Sequence, residues 1–308
     1  MKPSPETLRV VAFDGGWNLP IWIGQQQGFF AAEGIDVELL YTPNSTALVD
    51  GLIEGTHDIA FAAADNFIAC RERGTAHPAS AELFMLAGGD AGFLSLFAAP
   101  DISEITQLRG RTLAVDALTT GFAFVARELL ANRGIGPDEV SFEKAGGTDQ
   151  RYRALIAGKH AATLLRTPYD ILAAAQGFQR LAVGSELGEY QGTVAAARRT
   201  WAETHRGLVV RFLRAYHRSL AWCFDESNRT NVEAVLCAHV EGLEARTAAA
   251  AAAQLLAPTA GLTPGMRLNT DGLATVMRLR RKFAEQPHNV TSLADYIDDS
   301  FLDAALRR

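Results

Sequence analysis

RTLAVDALTTGFAFVARELLANRGI, residues 111–135, decides how the chain is read. A short β-branched and apolar run, Thr112 to Val115, gives way to Asp116-Ala117-Leu118-Thr119-Thr120-Gly121 and then to a long segment with helical apolar spacing. A strand that ends in small and polar residues and opens into a helix is the building unit of a parallel α/β sheet. It also leaves backbone N–H groups at a positive helix end, where polar or anionic groups are held well.

The same grammar extends in both directions. Upstream, strand patterns at Leu8–Phe13, Ile35–Leu40, Asp58–Ala62 and Leu83–Ala87 alternate with helical patterns at Pro20–Phe30, Ser45–Glu54 and Asp65–Arg73. Downstream, Thr112–Val115, Val140–Phe142, Ala162–Leu165 and Gln179–Ala182 read as strands, with helices opening near Thr120, Thr148 and Pro168. Two apolar extended crossings, Gly92–Ala98 and Thr193–Ala197, separate the runs, and from Trp201 onward the pattern is helical. The expectation is a two-lobed α/β protein with mainly parallel sheets and a helical C-terminal segment. One lobe comprises 1–92 plus 195–308 and carries both termini; the other comprises 93–194.

A length of 308 residues suits two domains of ordinary size. The net charge of −6, without a lysine- or arginine-rich block, argues against nucleic acid as a partner. Three scattered cysteines, Cys70, Cys223 and Cys237, make no disulfide framework and read as buried thiols. Phosphate-loop, dinucleotide and zinc-protease motifs are missing and the histidines are dispersed, so no catalytic residue, metal or cofactor is expected. No 18-residue apolar span or signal-type h-region occurs.

What recurs is the polar strand end. Asp14 to Asn18, Pro43 to Thr46, Ala64-Asp65-Asn66, Leu118 to Gly121 and Gly146 to Asp149 each open a helix after a strand. Each alone reads as an N-cap; together, at the carboxyl ends of parallel strands, they outline a ligand cleft between two lobes. The candidate ligand contacts are Asp14, Trp17, Asn44, Ser45, Asp65, Asn66, Thr119, Thr120, Gly121 and Thr148. Arg166, at the end of the ATLL strand, adds a bidentate donor for a carboxylate or sulfonate. Trp17, Phe93 and Tyr190 supply an apolar or stacking wall.

PIWIGQQQGFFAAEGIDVELL, LVDGLIEGTHDIAF, LRGRTLAVDALTTG, ALIAGKHAATLLRTPYD and YIDDSFLDAAL, in this order, resemble the substrate-binding proteins of nitrate/sulfonate/taurine-type ABC importers and the related thiamine-precursor binding group. The resemblance runs from about Leu8 to Leu306. It implies a type II periplasmic-binding-protein fold, closing by a hinge on a small ligand, and a monomer serving an ABC permease if exported. Trp17, Asn44, Ser45, Asp65, Thr119, Thr120 and Thr148 would line the cleft by position.

The threonine pair and Arg166 favour an anionic head group, whereas Asp14 and Asp65 favour a cationic portion. A compact organic anion (sulfonate, carboxylate or zwitterion) satisfies both. The alternative is a cytosolic enzyme on the same scaffold, desulfinase-like or pyrimidine-synthase-like. No cysteine sits at a strand end to serve the desulfinase chemistry. Localisation is periplasmic if the chain is a mature form with its signal removed, and cytoplasmic if Met1 is the native start.

Overall fold

The computed structural model describes residues 4–73, 82–119, 121–284 and 292–307. Strands β1 (Glu6–Ala12), β2 (Ile35–Tyr41), β3 (Ile59–Ala63) and β4 (Leu83–Gly88) fall on the four upstream strand patterns. Downstream lie β5 (Leu94–Ala98), β6 (Thr112–Val115), β7 (Ser141–Lys144), β8 (Ala162–Arg166), β9 (Gln179–Val183) and β10 (Thr193–Arg198). They form two five-stranded sheets, ordered β2-β1-β3-β10-β4 and β7-β6-β8-β5-β9.

In the first sheet β1 runs parallel to β2 and β3, and β10 returns antiparallel between β3 and β4, with Thr193 opposite Ala63. The second sheet repeats this plan. There β6 is parallel to β7 and β8, and β5 is antiparallel to β8 and β9, with Leu94 opposite Arg166. Each sheet thus receives one antiparallel strand at a crossing of the chain. The carboxyl ends of its parallel strands, β1 and β3 in one, β6 and β8 in the other, carry the loops of the site.

The crossings are narrower than expected. Residues 94–98 and 193–198 are strands paired on both edges within their sheets, so the chain passes between the sheets through 89–93 and through 184–192, where the short turn Gly184–Leu187 precedes 189–192. Asp90 fastens the two connectors. Its Oδ1 accepts from Gly92 N–H (2.8 Å) and Thr193 N–H (3.1 Å), and its carbonyl accepts from Gly192 N–H (2.9 Å). A Cβ on Gly192 would stand 2.1 Å from Asp90 Oδ1 and 2.4 Å from the Gly92 nitrogen, so only glycine permits this approach.

Two other departures have local causes. β7 begins one residue late and runs on to Lys144, because an edge strand pairs on one side only and tolerates the charged Glu143 and Lys144. The Pro20–Phe30 helical pattern divides into Leu19–Gln26 and Phe29–Ala32, with Gly28 left-handed (φ 71°) between them.

The C-terminal helices answer what their amphipathic faces cover. Arg206–Phe224 lays Tyr216 on the first sheet, stacked on Phe61 at 5.2 Å, and Phe212 on Phe30 of the Phe29–Ala32 helix at 5.5 Å. Two later helices reach across. Ala245–Leu255 packs on Tyr169–Ala175, where the Gln254 amide donates to Asp170 Oδ2 at 2.9 Å. Thr270–Phe283 packs on both Ala64–Arg73 and Phe122–Ala131. Among the described residues, no helix is long and apolar enough to cross a membrane, and no group of three or more His, Cys, Asp or Glu is placed to hold a metal.

Candidate functional site: a cleft between the two sheets

The helix openings of the two sheets face one another. Ser45, first residue of the Ser45–Glu54 helix, donates its hydroxyl to Asp116 Oδ2 across the gap at 3.3 Å. Gly121 N–H, opening the Phe122–Ala131 helix, donates to Asp65 Oδ2 at 2.6 Å. Trp17, after β1, lies against the Arg166 guanidinium at the end of β8, 4.1 Å from ring centroid to Cζ.

Between these contacts is a cavity of about 20 Å³. Trp17, Asn66, Asp116, Arg151, Arg166 and Thr193 supply its polar and stacking groups; Phe13, Phe61 and Phe122 supply its apolar wall. Asn66 also lines a vestibule of about 420 Å³, bounded by Ser45, Thr46, Asp50, Leu118, Thr119 and Lys144.

The cavity polar groups are incompletely paired. Asn66, Asp116, Arg151, Arg166 and Thr193 are 4%, 8%, 1%, 4% and 3% exposed, so water reaches none of them freely. Yet Asn66 Oδ1, Asp116 Oδ1, Arg151 Nη1, Arg166 Nε and Thr193 Oγ1 each have no hydrogen-bond partner in the protein. Leaving one such group unpaired costs about 1–3 kcal/mol, and native interiors hold few of them. All five atoms belong to residues that line one cavity.

The charges point the same way. Burial holds the Asp116 carboxyl above its ordinary range, opposed chiefly by Arg151. Burial lowers Arg151 in turn, opposed first by Asp116. Arg151 is held by Thr148 Oγ1, which accepts from its Nη2 at 3.0 Å, and by a long 3.4 Å contact from Nε to the Gly147 carbonyl. No ion pair joins it to Asp116.

The residues singled out from sequence fall into three groups. Trp17, Asn66, Thr148 and Arg166 line the cavity, and Ser45 and Thr119 line the vestibule. Others do structural work. Asn44 caps its helix, accepting from Ala47 N–H at 2.9 Å. Asp65 is spent on Gly121 N–H and on Arg280, 3.3 Å away. Gly121 itself is the N-cap, so Thr119 does not occupy that position; Thr120 lies outside the described residues.

A third group sits elsewhere. Tyr190 lines a separate groove of about 450 Å³ behind the connectors, against Gly92, and does not line the cavity. Phe93 lines that groove too, while its ring stacks 4.5 Å from the Arg166 Cζ. Asp14 is half-buried and borders neither cavity nor vestibule; burial and Asp149 raise its pKa.

Arg166 also has a partner inside the protein. One N–H of its Nη2 is committed to Asp90 Oδ2 at 2.6 Å, while its Nε has no partner in the protein. Asp116, Arg151 and Thr193 were missed. Arg151 shares one helix face with Thr148 and Leu155, and an arginine in phase with a buried leucine is the signal that could have found it. Cys70, expected to be simply buried, borders the vestibule; Cys223 is buried with its thiol pushed up to about 12, and Cys237 is half-buried.

Comparison with known proteins agrees with this architecture. A protein of Bordetella bronchiseptica RB50 superposes with a TM-score of 0.81 at 17% identity, covering 99% of this chain and 98% of that one. The alkanesulfonate-binding protein SsuA from Xanthomonas axonopodis pv. citri, bound to MOPS, gives 0.72 at 16% identity over 92% and 96%. At these identities the likeness is one of fold, the two-sheet α/β fold of periplasmic binding proteins. In sequence, the chain is 25% identical over 234 residues to the bicarbonate transport ATP-binding protein CmpC of Synechocystis sp., a match covering 70% of this chain but only 35% of that protein. The NMT1/THI5-like family model matches residues 18–229, about two thirds of the length, and the chain belongs to that family.

Proposed function

We propose that the protein is the solute-binding component of an ABC importer. It captures a small organic anion (sulfonate, carboxylate or zwitterion) as lobe 1–92 plus 195–308 closes on lobe 93–194. The cluster of buried, unpartnered polar atoms in the cleft carries this reading, since a closed cleft with those atoms unpaired is costly and a bound solute removes the cost. Closure bends the connectors 89–93 and 189–192, and a permease receives the solute from the monomer.

The likeness to a bicarbonate transport ATP-binding protein and to a sulfonate-binding protein supports a transport role over an enzymatic one. A thermal-shift panel of sulfonates, aromatic carboxylates, amino acids and pyrimidines tests it. A solute at 100 times its Kd stabilises by about 2.7 kcal/mol, a shift of about 4 °C for a chain of this length. The hit should be recovered unchanged by mass spectrometry, and Arg151→Met should abolish the shift. A hit that is turned over supports the enzyme alternative instead, and a hit indifferent to Arg151→Met places the binding site elsewhere.

A further inference from the structure

We infer that the helix Thr270–Phe283 is an electrostatic clasp between the two lobes, fixed by Arg280 to the lobe that carries both termini and released from the other lobe at Glu128. The inference rests on the hinge-closing reading of solute capture.

The helix starts on a connector and ends between the lobes. Asn269, its N-cap, donates its amide to Glu189 at 2.7 Å and its backbone N–H to Gln191 Oε1 at 2.8 Å. A Cβ on Gly272 would stand 2.5 Å from the Gln191 nitrogen, so the first turn is seated directly on the chain that bends. Farther along, Arg278, Arg280 and Lys282 alternate in sequence. At about 3.6 residues per turn, 278 and 282 share one face and 280 lies nearly opposite. One helix thereby presents cations to both neighbours: Arg280 to Asp65 and Glu72 of Ala64–Arg73, Arg278 and Lys282 to Glu128 of Phe122–Ala131.

The two sides are not equally easy to break. Arg280, Asp65 and Glu72 are all buried, so parting them would strand charges away from water. Glu128 is also covered, but Arg278 and Lys282 are 47% and 49% exposed; on leaving it they return to water they already touch. Lobes that separate therefore break at Glu128, and the helix stays with Asp65. Asp65 links the two sides, because its Oδ2 also accepts Gly121 N–H at the opening of Phe122–Ala131. That helix of the second lobe is thus gripped at its start by Asp65 and farther along at Glu128. A further pair across the lobes, Arg153 with Glu241, has both side chains mostly in water and adds little.

Small-angle X-ray scattering of the whole chain, with no solute added, tests this at about 0.01 M and about 1 M NaCl. Over that range the Debye length falls from about 30 Å to about 3 Å, so pairs that water reaches are weakened. The wild-type radius of gyration should rise with salt. Glu128→Gln should start larger at low salt and respond little, whereas Arg153→Gln should follow wild type. The wild-type salt series needs no variant, so a misfolded Glu128→Gln would not rescue the inference. A wild-type profile unchanged by salt overturns the clasp, as does Glu128→Gln following wild type at both salts or Arg153→Gln expanding as far as Glu128→Gln. None of these outcomes bears on whether a solute is captured, which the thermal-shift panel decides separately.

Discussion

Asp90 and Arg166 form an ion pair buried at the junction of the two sheets, Oδ2 accepting from Nη2 at 2.6 Å. The pair ties a connector between the sheets to the end of β8, and the guanidinium is further enclosed by Trp17, Phe93 and Phe122. Removing one partner of a buried pair strands the other charge, so Asp90→Ala should destabilise by about 3–5 kcal/mol. The double change Asp90→Ala with Arg166→Met, which loses the same Asp90 bonds to Gly92 and Thr193 but strands no charge, should cost less. Urea unfolding of both variants checks this; equal losses would mean that the pair is not what the junction depends on.

Arg280 plays a comparable part for the C-terminal helices. It lies between Asp65 and Glu72 of the Ala64–Arg73 helix, while Arg278 and Lys282 from the same Thr270–Phe283 helix hold Glu128 on Phe122–Ala131 at 2.8 and 2.6 Å. Arg280→Met leaves two buried carboxylates without their cation and should cost about 3–5 kcal/mol. Arg278→Met, whose side chain is half in water, should cost under about 1 kcal/mol. Comparable losses in denaturant titrations would contradict the distinction between the buried and the exposed pairs.

Asn44 separates capping from capture. Its side chain accepts from Ala47 N–H, so Asn44→Ala should lower stability by about 1 kcal/mol. The affinity for any hit from the solute panel should stay within error. A large loss of affinity with an unchanged melting curve would return Asn44 to the ligand site.

The buried Asp116 sets a pH signature. Its folded pKa is raised above the unfolded value, so the native state takes up a proton before the unfolded chain does. Its contribution therefore opposes folding at neutral pH and eases as pH falls through the folded value. Asp116→Asn, which removes the charge, should be more stable than wild type in urea at pH 7–8, with the gap narrowing toward acid. A gap that widened toward acid would mean the carboxylate is stabilised where it stands.

Alternation of strand and helix patterns was enough to place nearly every strand, because central strands such as β3 and β8 are uniformly buried and leave short apolar runs bounded by polar turns. Where a strand lies at an edge, as β7 does, its apolar signature is weak and its extent was misjudged. The cleft was legible as a set of strand ends, and Ser45, Asn66, Thr148 and Trp17 do border it. Arg151 and Asp116 were harder to find. A helix carrying Arg151 beside Arg153 reads as a solvated face, and only packing shows that the first is buried and the second exposed. Asp90 was invisible for a different reason: its bonds to Arg166, Gly192 and Thr193 join groups 76 to 103 positions away in the chain.

The crystal structure of the chain with the tightest-binding member of the solute panel is the most direct measurement. The expected result is a solute in the cleft with polar atoms at hydrogen-bonding distance, about 2.7–3.2 Å, from Arg151 Nη1 and Asp116 Oδ1. A solute seated instead in the groove beside Tyr190, with Arg151 and Asp116 paired to each other, would contradict it.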